Sequence, residues 1–261
     1  MSGPRRISSR DNAMLQRIRK LLATPTAYRK LGQVWVEGEH LCAAAVSRGW
    51  PVALALGTPD AFAAPALAPL LAAARDAVEL PAPLFGALSA LESPAAIGFV
   101  LDLPTLPALQ PGLASVVLDG VQDAGNVGSV LRSSAALGVR QVIALKGTAA
   151  LWSPKVLRAG MGAHFGLRLI EGLAPQALDA LQPPLVATSS HAAQALHQAP
   201  LPRPCAWVFG HEGRGVSPAV QARCALSVRI PQPGGEESLN VAAAAAICLY
   251  EAARRASDPA A

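Results

Sequence analysis

Between Asn126 and Gly138 the chain reads NVGSVLRSSAALG, small and aliphatic residues with one permanent cation, Arg132. If Asn126 caps a helix here, Gly128, Arg132 and Ala136 share one stripe at i, i+4 spacing. Helical side chains lean toward the N-terminus, so the guanidinium extends over Gly128 toward the loop end. Held there, it would aim one fixed positive charge at the mouth of a pocket. Spacing alone suits a surface arginine paired with a carboxylate even better.

Three loops rich in glycine and polar groups follow strand-like runs: DGVQDAGN (Asp119–Asn126), GHEGRGVS (Gly210–Ser217) and PQPGGEESLN (Pro231–Asn240). Glycine lets backbone amides approach a ligand closely. In open α/β sheets, ligands bind beyond the carboxyl ends of the strands, where these loops lie. Other chemistries lack support. No GK[ST] occurs, so there is no P-loop, and GMGAHFG (Gly160–Gly166) misses the GxGxxG spacing and sits at a helix end. His191 and His197 are six residues apart, which is wrong for one helix face. Nothing selects a Ser-His-Asp set or a metal site. Cys42, Cys205, Cys224 and Cys248 form no CxxC pair and read as reduced, mostly buried thiols of a cytoplasmic protein.

The elements that position these loops alternate. Strand-like runs occur at Ser115–Asp119, Gln141–Leu145, Leu185–Ser189, Ala206–Gly210 and Leu226–Pro231, with helical stretches between most of them. Two helices open with Ser-Pro, at Ser153–Pro154 and Ser217–Pro218, a cap followed by proline at the first helical position. A last helix runs from near Ser238 to about Ala256. Such alternation predicts a mainly parallel sheet with helices on both faces. Upstream, a helix (Asn12–Leu22), a strand (Val34–Gly38), an Ala-rich helix (Glu39–Arg48) and strands at Val52–Gly57 and Ala96–Leu103 predict a smaller α/β domain. Three prolines within the eight residues 104–111 mark a linker. The expected division is residues 1–103, a linker at 104–113, and 114–261.

With 261 residues, 52% of them hydrophobic and only 4% aromatic, the chain can bury a core of Ala, Leu and Val. The longest apolar run, Val241–Tyr250, is about half of what a membrane span needs. The N-terminus carries charge but no apolar signal region, so neither secretion nor a membrane is expected. The net charge of +5 is uneven: residues 1–30 hold eight basic side chains against Asp11 alone. A basic arm on a near-neutral body points to a polyanion such as RNA, or equally to a solvated helix face with a frayed tail.

Taken together, NVGSVLRSSAALG, VFGHEGRGVS and IPQPGGEESLNVAAAAAICLYEA resemble, in order and spacing, the three signature motifs of the SpoU-type (TrmH-like) RNA ribose 2′-O-methyltransferases. SPKVLRAGMGAHFGL resembles the stretch between the first and second motifs, and VWVEGEHLCAAAV the opening of the substrate-binding domain that many members carry. The resemblance implies an α/β-knot (SPOUT) catalytic domain, a preceding domain similar to ribosomal protein L30e, S-adenosyl-L-methionine as methyl donor, and a homodimer. The catalytic arginine falls on Arg132, with Asn126 beside it, the second-motif glutamate on Glu212, and the third-motif serine and asparagine on Ser238 and Asn240. Cofactor contacts, largely through backbone, fall to Thr188, Gly210, Ile230 and Leu239. Gln232 departs from the methionine that many members carry after Ile-Pro, a change at the adenine pocket. RNA contacts are expected from Arg5, Arg6, Arg10, Arg17, Lys20, Lys155 and Arg158, and no metal is expected. The implied reaction is ribose methylation of structured RNA, with 23S ribosomal RNA favoured over transfer RNA. A non-catalytic ribosome-associated protein of the same fold and a nucleotide-binding oxidoreductase are the competing readings.

Overall fold

A computed structural model of the chain describes residues 4–89, 93–104, 107–234 and 238–257. The chain folds into two compact units, Met1–Thr105 with Trp152–Phe165, and Leu106–Leu151 with Gly166–Ala261.

The first unit begins with β1 (Arg5–Arg6), α1 (Ala13–Ala23), α2 (Ala27–Leu31), β2 (Gln33–Glu37), α3 (Glu39–Ser47) and β3 (Val52–Gly57). It continues with α4 (Pro59–Ala63), α5 (Ala68–Ala72), β4 (Ala77–Glu79), α6 (Ala82–Gly86) and β5 (Ile97–Asp102). The sheet is mixed, in the order β1-β4-β3-β5-β2, with β5 antiparallel to both of its neighbours. Asn12 caps α1 by accepting from the Met14 N–H at 3.0 Å. The apolar stripe Leu15, Ile18, Leu21 is buried, so this helix belongs to the core and is no solvated tail. The residues before it are equally integrated. β1 pairs in parallel with β4, and Ile7 is buried.

In the second unit lie β6 (Ser115–Asp119), α7 (Ala124–Ala136) and β7 (Gln141–Leu145). The next helix in the chain, α8 (Pro154–Gly160), groups with the first unit. The expected division at residue 114 follows the order of the chain, whereas by contacts this segment groups with the first unit. The cause is aromatic packing: Trp152 and Phe165 lie 5.2 and 5.3 Å from the Trp50 ring, and the Trp50 indole donates to the Phe165 carbonyl at 3.0 Å. The second unit resumes with β8 (Arg168–Leu173), β9 (Leu185–Thr188), β10 (Gln194–Ala195), β11 (Ala206–Gly210), α9 (Pro218–Gln221), β12 (Cys224–Arg229) and α10 (Val241–Ser257).

Its seven strands run in the order β10-β12-β9-β11-β6-β7-β8, and every pairing is parallel. β6, β7 and β11 are buried along their whole length, which explains why they read as unbroken apolar runs. From β6 the chain proceeds outward through β7 and β8, then returns to build the other flank with β11 beside β6. That reversal is a topological switch point, where an open parallel sheet leaves a crevice at its carboxyl edge. The parallel α/β sheet agrees with the expected fold class and accords with an α/β-knot domain.

Candidate functional site

The carboxyl ends of β6 and β11 meet in register, Asp119 opposite Gly210. Gly210 is buried, and a Cβ there would lie 2.1 Å from the Gly215 backbone. Only glycine fits this close approach. The turn is closed by two backbone hydrogen bonds between His211 and Gly215, at 2.9 and 2.8 Å, and Gly215 takes φ +67°. Asp119 secures the far end of the same loop, its carboxylate accepting the Ser217 N–H at 2.6 Å.

The closed turn presents Glu212 to the loop that follows β6. Its carboxylate accepts the backbone N–H groups of Gln122 at 3.2 Å and Asp123 at 3.1 Å, and the Asn126 side-chain amide at 3.1 Å. Burial alone raises the Glu212 carboxyl. Hydrogen bonds from its own backbone, from Asn126, and from the Asp123 and Gln122 amides outweigh that and hold it below its ordinary value. Asn126 passes the connection on: its Oδ1 accepts from the Asn240 side chain at 2.9 Å. Asn240 in turn caps α10, its Oδ1 accepting the Ala242 and Ala243 N–H groups at 2.9 and 3.3 Å. One chain of hydrogen bonds, Glu212–Asn126–Asn240, therefore ties together three loops that are far apart in sequence.

Two expectations need correction here. Asn126 does not cap α7; Asp123 does, accepting the Asn126 N–H at 2.7 Å. With both ends of its own amide engaged by Glu212 and Asn240, Asn126 is free to serve inside the helix. Gly128 is also buried, so the exposed stripe around the cation is Gly125, Ser129, Arg132 and Ala136. Arg132 itself is exposed and has no hydrogen-bond or ion-pair partner among the described residues. The surface ion pair that its spacing suited is absent there.

The remaining expected residues divide by role. The Thr188 hydroxyl donates to the Val208 carbonyl at 3.3 Å, so it joins β9 to β11. Ile230 is half-buried past β12, while Leu239 and Ser238 are exposed just before α10. Ser238 does not join the three-loop tie. In the first unit, Arg5 pairs with Asp76 at 3.0 Å and Arg6 with Glu79 at 2.9 Å. Arg17 donates to the Leu31 carbonyl at 2.9 Å; Arg10, Lys20 and Lys155 are exposed and Arg158 is half-buried. These residues are thus set on folded elements rather than on a loose arm.

Sequence reasoning missed the Gln122 and Asp123 amides, because a backbone donor leaves no mark in a sequence. It also missed Asp119 as a loop anchor and Thr148, whose hydroxyl donates to the Leu118 carbonyl at 2.9 Å and accepts the Gly120 N–H at 3.1 Å. A carboxylate ending a buried strand was the available signal for Asp119. Among the described residues no cluster of three or more His, Cys, Asp or Glu is placed to hold a metal, and no helix is long and apolar enough to cross a membrane. Burial pushes the Cys205 and Cys224 thiols up to about 11 and Cys248 to about 12, which removes thiolate reactivity.

Residues 114–250 match the model of the SpoU rRNA methylase family. A 23S rRNA (uridine(2479)-2′-O)-methyltransferase of Streptomyces viridochromogenes is 30% identical over 267 residues, covering 96% of this chain and 92% of that protein. The 23S rRNA (guanosine-2′-O-)-methyltransferase RlmB of Bordetella pertussis is 38% identical over 160 residues, 60% of this chain and 63% of that protein. This chain thus spans less than two thirds of the length of that relative. The crystal structure of the SpoU methyltransferase AviRb from Streptomyces viridochromogenes in complex with AdoMet superposes with a TM-score of 0.84 at 28% identity, covering 95% of this chain and 99% of that one. The parallel sheet, the three tied loops and these matches agree: the chain belongs to the SpoU rRNA methylase family.

Proposed function

We propose that this protein transfers a methyl group from S-adenosyl-L-methionine to a ribose 2′-hydroxyl of 23S ribosomal RNA. The observation that carries the reading is an arginine without a partner among the described residues, beside three loops locked together by Glu212, Asn126 and Asn240. The residues present suit the cofactor. Gly210, Ile230 and Leu239 offer backbone at the carboxyl edge of the sheet, and the buried Oε1 of Gln232 lacks any donor from the described residues. When bound, S-adenosyl-L-methionine supplies a methyl group already activated by its sulfonium.

The protein's own task is then positioning and charge stabilisation. Arginine does not deprotonate in proteins, so Arg132 acts as a fixed cation. As the hydroxyl proton passes to solvent water, Arg132 steadies the alkoxide that develops on the ribose and grips a neighbouring phosphate through its planar fork. Glu212 and the two asparagines hold the loops that frame it. The names of the relatives support ribosomal RNA as substrate. The first unit, with Arg10, Arg17 and Lys20 on its surface, serves as the RNA-holding domain, and a cytoplasmic location suits that substrate. The decisive experiment is methyl transfer to protein-free 23S rRNA followed by mapping of 2′-O-methyl sites. A single new site is expected; modification confined to transfer RNA would replace the substrate, and no transfer to any RNA would sink the reading.

The active species is a homodimer. On α10 the exposed Ala243, Ile247 and Tyr250 form one stripe at i, i+4, i+7 spacing, and the isoleucine and tyrosine are 40% and 60% exposed. A second copy of the chain covers this stripe. Light scattering at micromolar concentration should give twice the chain mass, and Ile247→Asp should shift the population toward monomer. A wild-type monomer under those conditions would remove the dimer.

A further inference from the structure

β12, β9, β11 and β6 are neighbours in an all-parallel run, so their carboxyl ends share one edge of the sheet. Gln232 lies three residues past the end of β12, in the loop that leads toward α10. Its Oε1 is excluded from solvent, yet no N–H or O–H of the described residues reaches it. A buried carbonyl without a donor loses its hydration and gains nothing in return, so such groups are scarce in folded proteins. The indoles of Trp35 and Trp207 and the hydroxyl of Ser134 are also buried without partners, but they sit within strands and a helix. Gln232 is in a loop at the ligand-binding edge. Its missing donor can come from a ligand.

We propose that Gln232 Oε1 accepts a hydrogen bond from the exocyclic amine of the adenine of S-adenosyl-L-methionine, making this side chain a determinant of nucleobase specificity. The proposal rests on the cofactor assignment above. The cofactor offers three kinds of donor: the methionine ammonium, the ribose hydroxyls and the adenine amine. Placing an ammonium against a single neutral carbonyl in a dry pocket would cost desolvation that this one contact cannot offset. Ribose hydroxyls accept as well as donate and gain from staying near water. The adenine amine is neutral, planar and donor-only, the match for a solvent-excluded amide oxygen. Replacing adenine by hypoxanthine puts a carbonyl where the amine was, and two acceptors would then face each other.

The test compares S-adenosylhomocysteine with S-inosylhomocysteine by calorimetry, on the full chain carrying Gln or Met at position 232. The wild type should prefer the adenosyl ligand strongly. Gln232→Met should weaken adenosyl binding about three- to tenfold, the worth of one neutral hydrogen bond, and shrink the preference over the inosyl ligand by about tenfold or more. Thermal unfolding supplies a readout of opposite sign. Without ligand, Gln232→Met should melt no lower than wild type, because it removes an unsatisfied acceptor and keeps the volume. Gln232→Leu repeats the comparison should the methionine variant fold poorly. An unchanged adenosyl-to-inosyl ratio, which a ribose-hydroxyl contact would give, overturns the proposal. So does a variant that loses stability and both ligands alike, the signature of a structural role. Failure of wild type to bind either ligand would instead sink the cofactor assignment itself.

Discussion

The arginines of the two units are used differently. In the first unit Arg5 and Arg6 are paired with Asp76 and Glu79, and Arg17 and Arg19 donate to the carbonyls of Leu31 and Arg10. These guanidiniums bind β1, α1 and the adjoining turns together, and their charge is partly committed to that work. In the second unit Arg132 sits among Gly125, Ser129 and Ala136 on an exposed face, without a partner among the described residues. The nearby carboxylate Glu212 is occupied by two backbone amides and Asn126. The contrast shows what a count of basic residues hides. A cation available for chemistry is one whose neighbours have been satisfied elsewhere.

The largest effect should therefore come from this uncommitted arginine. Arg132→Ala should lower methyl transfer by about a hundred- to a thousandfold, since a preorganised charge acting on the transition state is worth about 3–4 kcal/mol. Melting temperature and cofactor affinity should stay near wild type, because no partner among the described residues is lost. Arg132→Lys should recover little, as a point charge on a flexible stem lacks the planar fork. Single-turnover kinetics with calorimetry would check this. Normal turnover by the alanine variant would erase the distinction between the two kinds of arginine.

A smaller effect is expected at Glu212, whose proposed task is to position the loops rather than to react. Glu212→Gln keeps the shape but turns part of the carboxylate into a donor that faces the Gln122 and Asp123 N–H groups and the Asn126 amide. Turnover should fall about tenfold through misplaced loops, with KM for the RNA changing less than kcat. The carboxyl is held below its ordinary value in the folded chain. Its contribution to stability is thus present above the unfolded value and is lost as pH falls through the folded one. Wild type should melt above the variant at neutral pH, by about a degree or two, because the group is solvent-exposed and its hydrogen bonds are screened. The gap should close as the buffer passes below the ordinary glutamate range. A gap that widens on acidification would refute the hydrogen-bonded carboxylate.

How much of this was legible depended on how each residue is satisfied. β6, β7 and β11 stand at the boundaries their apolar runs implied, since a strand buried on both faces has no reason to alternate. β8 was missed because Arg168, Glu171 and Gly172 interrupt its apolar character, and β1 because two arginines carry no period at all. Motif resemblance, rather than periodicity, singled out Arg132, Glu212 and Asn240. Asp123 as the cap was not, because two capping-type side chains lie three residues apart and only the pull of Glu212 on Asn126 decides between them. The packing of Trp152–Phe165 with the first unit was not legible, because a motif says nothing of which aromatic its tryptophan will meet.

The smallest effect returns to the first unit. Removing residues 1–30 would take Leu15, Ile18 and Leu21 out of the core, so truncation would measure unfolding rather than RNA contact. Paired substitutions separate the two. Arg10 and Lys20 are exposed without ion pairs among the described residues, whereas Arg5 and Arg6 each hold a carboxylate. Each phosphate contact removed lowers the slope of log affinity against log salt by about 0.7 to 0.9, through the counterions it no longer releases. Arg10→Ala with Lys20→Ala should reduce the slope by about 1.5. Arg5→Ala with Arg6→Ala should reduce it by less, because deleting each arginine also exposes the carboxylate it neutralised, and the change appears partly as repulsion at low salt. Filter binding to an rRNA fragment across a salt series would read both pairs, with unfolding curves confirming that each variant stays folded. Equal slopes for the two pairs would mean that the ion pairs open on RNA and leave no difference between committed and free cations in this unit.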